Sequence, residues 1–384
     1  MDIRNETTPT AGSEHVTIAA AIELSDGRWL VGLQGEASCR VSIHAVPSGD
    51  IEGVARLIER ERVRLERRGR RVEVVTCYEA GRDGFWVHRA LTARGYMNHV
   101  IDPASIAVPR RKRRAKTDRI DVRGLVAVLR AWRGGDRLRC RMVRVPSVAE
   151  EDARRPHRAR ERLVRERVMH VNRIKALCAL HGIKDVAPVR GDRRAQLAGL
   201  ETAAGSQLPR HAAEELAHEM ERLELVLRQL AEVERARDAA LRHPAPEDRG
   251  AVTAQALTRL RGIAETLGSV LGREVFYRRF ANRRQVGGFV GLTPTPFASG
   301  ARSREQGIAK SGNPRARVAM IELAWLWLQH QPESALSRWF KARVGDAKGR
   351  VKRIAIVALA RKLLVALWRY VETGVVPAGA LMKR

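Results

Sequence analysis

Residues 16–33 read VTIAAAIELSDGRWLVGL, and this stretch decides the fold of the first part of the chain. Apolar residues alternate with other residues up to Glu23, which is the period of a strand with one face toward a core. A turn signal follows at 25–27, and the apolar run 29–33 predicts the returning strand. With a third strand predicted over 37–46, the fold is expected to begin with three antiparallel strands.

The sequence after these strands alternates between helix and strand patterns. Helical spacing and short apolar runs predict four elements: a helix over 50–68, a strand over 72–77, a helix over 85–94 and a strand over 98–101. Three antiparallel strands followed by helix, strand, helix and strand are the order expected of a ribonuclease-H-like, or RuvC-like, fold. We therefore predict an α/β domain of this class over 15–145, preceded by a flexible tail at 1–14.

Four acidic residues fall at the ends of predicted elements. Glu23 ends the first strand and Glu79 follows the fourth, while Asp118 and Asp121 are one turn apart on one face of a helix. Such hard oxygen ligands suit Mg²⁺, with Mn²⁺ as the alternative ion, and a metal shared by carboxylates assists phosphodiester chemistry. The alternative for the second pair is a plain helix start, with Thr117 or Asp118 as its cap.

A basic run stands directly before the second acid pair, in the stretch RRKRRAKTDRIDV at 110–122. The whole chain carries 72 Lys and Arg against 43 Asp and Glu, and this net charge of +29 indicates a polyanionic partner. A basic run beside paired acids favours metal-dependent chemistry on nucleic acid. The candidate backbone-binding residues of this run are Arg110, Arg111, Lys112, Arg113, Arg114 and Lys116.

Cysteine usage and hydropathy argue against several other classes of protein. The four cysteines lie far apart without a C-x-x-C pair, so we expect reduced thiols and no zinc site. The first residues are polar and lack the apolar segment of a signal peptide, and no apolar run is long enough to span a membrane. The sequence thus predicts a cytoplasmic protein.

The character of the sequence changes near residue 146, where long Arg- and Glu-rich helices are predicted over 147–183 and 210–242. The second helix has the 4-3-4-3 apolar spacing of a coiled coil at Leu216, Met220, Leu223, Leu227 and Leu230. The first has an apolar stripe at Val164, Val168, Val171, Ile174 and Cys178, after Pro156, which kinks it or marks its first turn. We predict a helical coiled-coil hairpin over 146–250, which either packs within its own chain or joins subunits.

A last, mainly helical domain is predicted over 251–384. Residues 257–275, around Gly262, are similar to a helix–hairpin–helix, whose turn offers backbone N–H groups to a phosphate. Gly, Ser and Arg then crowd residues 298–317, and a serine in such a loop is either a turn residue or a nucleophile. Two further helices are predicted, over 316–329 and 350–371.

Together these stretches resemble the insertion-sequence family 110 transposases, which are DEDD-type recombinases guided by a bridge RNA. The resemblance spans nearly the whole chain. It is carried by IELSDGRWLVGL (22–33), CYEAGRDGFW (77–86), RRAKTDRIDV (113–122) and FVGLTPTPFASGARSREQGIAKSGNPRAR (289–317). The resemblance implies a catalytic, metal-binding set of four acids, which are Glu23, Glu79, Asp118 and Asp121.

The resemblance also implies that DNA strands are exchanged through a covalent serine–phosphate intermediate, with Ser299 as the nucleophile. A second serine of the family pattern is Ala309 in this chain, which leaves Ser299 ahead of Ser303 and Ser311. The residues expected to hold the phosphate are Arg302, Arg304, Lys310, Arg315 and Arg317. The implied partners are donor and target DNA in the bacterial nucleoid, a structured guide RNA, and further copies of the chain in a dimer or tetramer.

One departure from the family pattern leaves alternatives open. The first acid of the family is usually Asp, whereas this chain has Glu23, with Asp26 as the fallback if the register slips. A rival interpretation is a metal-dependent nuclease or junction resolvase in which Ser299 is structural. A second is an inactive relic that only binds nucleic acid, for which the change at position 23 is the single hint.

Overall fold

The computed structural model describes residues 15–35, 38–106, 117–192, 195, 199–299, 302–309 and 311–383, with the backbone alone for 296–299 and 302–306. The chain forms two compact units, Met1–Val145 and Pro146–Arg384. Each unit has hydrophobic clusters of its own. Among the described residues, no helix combines the length and the apolar character that crossing a bilayer requires.

The first unit is mixed α/β. Its described strands are β1 (His15–Glu23), β2 (Arg28–Gly35), β3 (Ser42–Pro47), β4 (Arg71–Glu79) and β5 (Met97–Ile101). Its described helices are α1 (Ile51–Glu66), α2 (Trp86–Ala93) and α3 (Asp118–Arg133). The strand order is β3-β2-β1-β4-β5, in which β1, β2 and β3 are antiparallel and β1, β4 and β5 are parallel. The predicted strands and helices are confirmed, although the third strand begins at Ser42 rather than at position 37.

Alternation along the central strands sorts their residues onto the two faces of the sheet. Packed against α3 are the odd-numbered residues Ala19, Ala21, Val75 and Cys77. Packed against α1 and α2 are even-numbered residues of β1, namely Val16, Ile18, Ala20 and Ile22. Helix α3 lies close to β2 because Gly32 has no side chain: a Cβ there would lie 3.1 Å from Val122 and 3.2 Å from Val126. The helix is therefore held directly over the centre of the sheet.

The second unit is mainly helical. Its described helices are α4 (Val148–Asp152), α5 (Arg155–Leu180), α6 (Arg210–Arg242), α7 (Arg249–Thr258), α8 (Glu265–Leu271), α9 (Arg283–Val290), α10 (Pro314–His330), α11 (Ala335–Val344) and α12 (Arg350–Thr373). A π-helical turn, Gly272–Phe276, continues α8, and β6 (Pro294–Ser299) pairs with β7 (Arg302–Ile308). The two helices predicted over 316–329 and 350–371 are confirmed as α10 and α12.

Helices α5 and α6 form a hairpin within the chain. The seam residues Leu216, Met220, Leu223 and Leu230 are buried, and they pack in clusters with Leu163, Ile174, Leu177 and Cys178 of α5. The seam is thus satisfied inside one chain, which removes it as evidence for a subunit contact. Pro156 lies in the first turn of α5, where a missing N–H is tolerated. The predicted stripe was wrong at Val168, which is 48% exposed, because the packed face of α5 passes through Leu163 instead.

Candidate active site

Two of the predicted acids lie side by side in the sheet. The parallel strands β1 and β4 pair Ile22 with Tyr78, so the next step along both strands brings Glu23 beside Glu79. Both side chains are half-buried, and they line one cavity of about 310 Å³ together with the loop that follows β4. By the alternation of the strands, both also belong to the face that α3 covers. Parallel register therefore gathers two carboxylates from positions 56 residues apart.

Helix α3 carries the other two acids toward the same end of the sheet. Val122 lies over Gly32, which pairs with Ala21 near the carboxyl end of β1. The last residues of α3 line a cavity with the first half of β1. Since α3 runs antiparallel to β1, its first turn, with Asp118 and Asp121, points toward the end of the sheet where the first pair lies.

The start of α3 is also a regular capped helix start. The hydroxyl of Thr117 accepts a hydrogen bond from the backbone N–H of Ile120, at 3.3 Å. Asp118 is exposed and Asp121 is half-buried, both in the first turn, where a negative charge favours the helix dipole. The cap interpretation is confirmed for Thr117. It does not compete with a role for the two carboxylates, because the cap uses the threonine.

The four acids fit a hard divalent cation in their chemistry, since all of them offer carboxylate oxygens. Within the described ranges, however, no three His, Cys, Asp or Glu side chains lie close enough together to hold one ion. Asp26, the fallback for the first acid, is exposed and forms an ion pair with Arg82. The backbone thus brings two acid pairs to one end of the sheet without closing them into a single cluster.

The candidate nucleophile lies in the second unit, at the end of a strand. Ser299 is the last residue of β6, and in the ladder it pairs with Arg302 at the start of β7. The sequence predicted a polar loop here; the hairpin was missed because β7, RSREQGI, lacks the alternating apolar residues of a half-buried strand. The side chains of Ser299, Arg302 and Arg304 lie outside the described part. The basic run Arg110–Arg114, Lys116 and Lys310 also lie outside the described residues.

Two glycines lie at the base of this hairpin, where two backbone segments pass close to each other. Gly291 has φ 73° and Gly312 has φ 105°, both in the region that favours glycine. A Cβ on Gly291 would lie 2.8 Å from the carbonyl oxygen of Ala309, and one on Gly312 would lie 2.5 Å from that of Phe289. No side chain fits at either position. The glycines in the segments GLTP (291–294) and SGNP (311–314) therefore allow the backbones at the two ends of the hairpin to cross at contact distance.

The predicted phosphate ligands at the start of α10 are engaged within the chain. Arg315 Nε donates to a carboxylate oxygen of Glu161 at 2.7 Å, and Arg317 Nη1 donates to the carbonyl of the last residue of α9 at 3.3 Å. Arg361, which sequence reasoning missed, donates to the carbonyl of Leu292 at 2.8 Å. In this structure, Arg317 and Arg361 thus secure the segment that leads into β6.

A buried acid that sequence reasoning missed lies beside the hairpin base. Glu274, in the π-helical turn, is only 2% exposed. Its carboxylate accepts hydrogen bonds from His157 Nε2 at 2.8 Å, Arg158 Nε at 2.9 Å and Asn313 Nδ2 at 2.8 Å. Burial by itself would raise the pKa of Glu274, but these donors outweigh burial and hold the pKa well below its usual range. No local sequence pattern marks this residue, because its partners are far away in the chain.

The turn of the predicted helix–hairpin–helix joins α7 to α8 and is covered by the end of the chain. The N–H of Arg261 donates to the carbonyl of Leu381 at 3.0 Å, and the N–H of Lys383 donates to the carbonyl of Arg259 at 2.7 Å. The Lys383 ammonium donates to the carbonyl of Ile263 at 2.9 Å. These backbone groups are used inside the chain, and a phosphate contact at this turn stays a prediction.

Comparison with known proteins places these features in a family. The model of the transposase family IS116/IS110/IS902 matches residues 254–338, which include the hairpin and both glycines. "Putative transposase y4rJ" of Sinorhizobium fredii is 47% identical over 95% of this chain and 94% of its own length. "Putative transposase y4qE" of the same organism is 27% identical over 83% of this chain and 80% of its own length. The transposase for insertion sequence element IS1328 of Yersinia enterocolitica is 26% identical over 57% of this chain and 63% of its own length.

The first of these similarities extends over nearly the full length of both proteins, so it covers the sheet with its acids as well as the hairpin with its serine. A transposase is a DNA-processing enzyme, in agreement with the large positive charge of the chain. The protein therefore belongs to the IS116/IS110/IS902 family of transposases.

Proposed function

We propose that this transposase cuts and rejoins DNA strands with two sets of residues: a carboxylate set on a ribonuclease-H-like unit and a nucleophilic serine on the hairpin. The observation that carries the proposal is the parallel register of β1 and β4, which sets Glu23 beside Glu79 at the end toward which α3 points. Asp26 is a poorer candidate for the first acid, because it lies beyond the strand and pairs with Arg82.

In this proposal the residues Glu23, Glu79, Asp118 and Asp121 hold Mg²⁺ or Mn²⁺. When bound by carboxylates, such an ion supplies charge stabilisation for the attacking and leaving oxygens of a phosphodiester. The side chains of the two pairs would have to approach each other around the ion, and Asp118 is exposed. The half-buried Glu23 and Glu79 provide the fixed side of the site.

Ser299 is proposed to attack the DNA phosphorus. Its Oγ forms an Oγ–P bond, and one deoxyribose hydroxyl leaves with a proton. A hydroxyl of the second strand then attacks the serine–phosphate ester, restores the phosphodiester and returns the serine hydroxyl. No oxidant, reductant or nucleotide is consumed, because the energy of the broken ester is kept in the covalent intermediate. Arg302 and Arg304, which follow in β7, are proposed to balance the phosphate charge.

A guide RNA is proposed to choose the DNA sites, and the net charge of +29 supports a chain that holds two kinds of nucleic-acid backbone. Sequencing the RNA that purifies with the protein tests this part. Enrichment of one structured transcript from the insertion sequence that encodes the transposase supports it, and recovery of random cellular RNA contradicts it. A dimer or tetramer is part of the proposal, but the coiled-coil seam gives no support to it, because the seam packs inside the chain.

The variant Ser299→Ala tests the serine step against a metal-dependent nuclease. The substrate is a suicide DNA made from the end of the element, and the control variants are Ser303→Ala and Ser311→Ala. We expect Ser299→Ala to lose both the covalent adduct and strand joining, while both controls keep them. If Ser299→Ala still cuts DNA in a metal-dependent way and the wild type forms no adduct, the protein is a nuclease of the rival class.

A further inference from the structure

The buried carboxylate of Glu274 joins three segments of the second unit that are distant in sequence. It lies in a π-helical turn, a local departure from the α-helix that widens the backbone by one residue. Such a turn costs regular hydrogen bonding, and an acid this deeply buried is tolerated only with several donors. The donors come from the start of α5 on one side and from Asn313, the N-cap residue of α10, on the other.

On the side of α5, the contacts are numerous. His157 and Arg158 both donate to the carboxylate, and Arg158 does so through two nitrogens, at 2.9 Å and 3.2 Å. Arg154, just before α5, donates to the carbonyl of Arg273 at 3.3 Å and stacks over the ring of Tyr277 at 4.2 Å. The first turn of the long helical arm is thus fixed to the π-helical turn by charged hydrogen bonds.

On the side of the hairpin, Asn313 makes three different contacts. Its amide nitrogen donates to Glu274, while its amide oxygen accepts from the backbone N–H of Ala316 at 3.2 Å and caps α10. Its own backbone N–H donates to the carbonyl of Phe289 at 2.8 Å, across the crossing of the two glycines. One residue therefore connects the buried acid and the start of α10 through its side chain, and the base of the hairpin through its backbone.

We infer that Glu274 is a positioning residue, which sets the base of the hairpin β6–β7 relative to helix α5 through Asn313. The hairpin leaves the core at residues 293 and 309, where the N–H of Ala309 donates to the carbonyl of Thr293 at 2.7 Å. A small rotation at this base becomes a larger displacement at Ser299, at the far end of β6. The consequence for the reaction rests on the proposed role of Ser299, whereas the positioning itself does not.

A purely structural role makes a different prediction. If Glu274 only stabilised the unit, its loss would lower the midpoint of unfolding, while the folded protein would bind DNA and react at its normal rate. If it positions the hairpin, the folded protein keeps its affinity for DNA but reacts more slowly, and the amides at the hairpin base exchange faster. A displacement of about 1 Å at a reacting group can cost about a hundredfold in rate.

The first test uses Asn313→Ser, because Ser is a good helix cap but cannot donate to Glu274 as the amide does. The matched control is Asn282→Ser, at a residue that caps α9 without contacting the buried acid. For Asn313→Ser we expect adduct formation on the suicide DNA to slow at least about tenfold with unchanged DNA affinity. Hydrogen exchange of the Ala309 and Asn313 amides should become about tenfold faster. Unchanged exchange at both amides in Asn313→Ser would overturn the inference.

The second test uses Glu274→Gln in the full-length protein, with Glu372→Gln as the control. Glu372 is 20% exposed and pairs with Arg249 in the same unit, so its loss also removes an ion pair but touches no residue of the hairpin base. Faster exchange at the hairpin base in Glu274→Gln, and not in Glu372→Gln, supports the positioning role. Equal exchange in both variants overturns it. If the wild type forms no adduct on Ser299, the proposed reaction has failed, and the exchange measurement still decides the positioning role.

Discussion

The acid end of the first unit and the hairpin base of the second unit are built by different kinds of contact. At the acid end, neighbouring strands and one overlying helix place all four carboxylates, each at the end of an element. At the hairpin base, the decisive contacts cross long stretches of sequence, as between Glu274 and His157, which are 117 residues apart. One region depends on register, and the other depends on the packing of distant segments.

This difference predicts two kinds of failure. A change at the acid end removes a chemical group from a frame that stays intact, because the strands are held by ladder hydrogen bonds and by their buried neighbours. A change at the hairpin base leaves every proposed chemical group in place but alters where one of them stands. Changes at the acid end should therefore lower activity without lowering stability. Changes at the hairpin base should lower activity and also alter stability or amide hydrogen exchange.

The largest effect is expected for Glu79→Gln. Loss of one of the carboxylates proposed to hold the metal ion should lower the rate of DNA strand cleavage by about a thousandfold or more, because that ion would stabilise charge in the transition state. The matched control is Glu73→Gln, on the same strand and face but at the other end, where the side chain pairs with Arg133. The measurement is cleavage with Mg²⁺ and with Mn²⁺, next to thermal unfolding. Equal activity of the two variants would remove the acid end from the chemistry.

The next effect concerns stability and its dependence on pH. Glu274→Gln leaves His157 and Arg158 without their buried partner, which should cost about 3 kcal/mol at neutral pH. Burial would raise the pKa of Glu274, but its hydrogen bonds keep the folded pKa below the unfolded one, so the unfolded chain takes up more protons in acid. The difference in unfolding free energy between wild type and variant should thus have its full value above about pH 5 and become smaller as the pH falls. Urea unfolding across this range measures it, and a difference that grows in acid would contradict this account.

A smaller effect is expected for Gly312→Ala, which places a methyl group 2.5 Å from the carbonyl oxygen of Phe289. The overlap and the positive φ together should cost about 2–3 kcal/mol of unfolding free energy. Gly307→Ala is the control, because it also has a positive φ, 94°, but nothing lies within 4 Å of the added Cβ. It should cost about 1 kcal/mol. Equal losses of unfolding free energy in the two variants, measured by urea unfolding, would show that the backbone crossing at Gly312 has room for a methyl group.

The smallest effect is expected for Asp26→Asn. Asp26 forms an exposed ion pair with Arg82, and such pairs contribute little to stability. If Glu23 is the first acid, the cleavage rate of Asp26→Asn should change by less than about fivefold. The parallel measurement on Glu23→Gln should show a loss like that of Glu79→Gln. If Asp26→Asn lost more activity than Glu23→Gln, the first acid would be Asp26, in the turn after β1, and not Glu23.

Much of the first unit could be predicted because its signals are local. Strand alternation, the turn at 25–27 and the cap at Thr117 each depend on a few neighbouring residues, and the strands and helices appear where these signals place them. The family of the protein was also recognisable from short motifs, and the similarity to relatives confirms it. The position of the acids at strand ends followed from the same alternation, although their role in catalysis stays a prediction.

The coiled-coil seam shows the limit of what a local sequence pattern can predict. Its 4-3-4-3 spacing indicated that another helix covers it, but the spacing is the same whether that helix belongs to this chain or to a second copy. Only the packing of α5 against α6 decided for the same chain. The stripe on α5 failed at Val168 for the same reason, since several faces of a long helix contain apolar residues and the partner selects among them.

By itself, the sequence determined the strands and helices of the first unit, the long helices of the second and the family, because periodicity and short motifs act over neighbouring residues. Tertiary structure alone decided the pairing of β6 with β7, the crossing of Gly291 and Gly312, and the burial of Glu274 among its donors. These features depend on groups that approach one another only after the chain has folded. Their free energy comes from contacts between distant segments, and such contacts leave no periodic trace in the sequence.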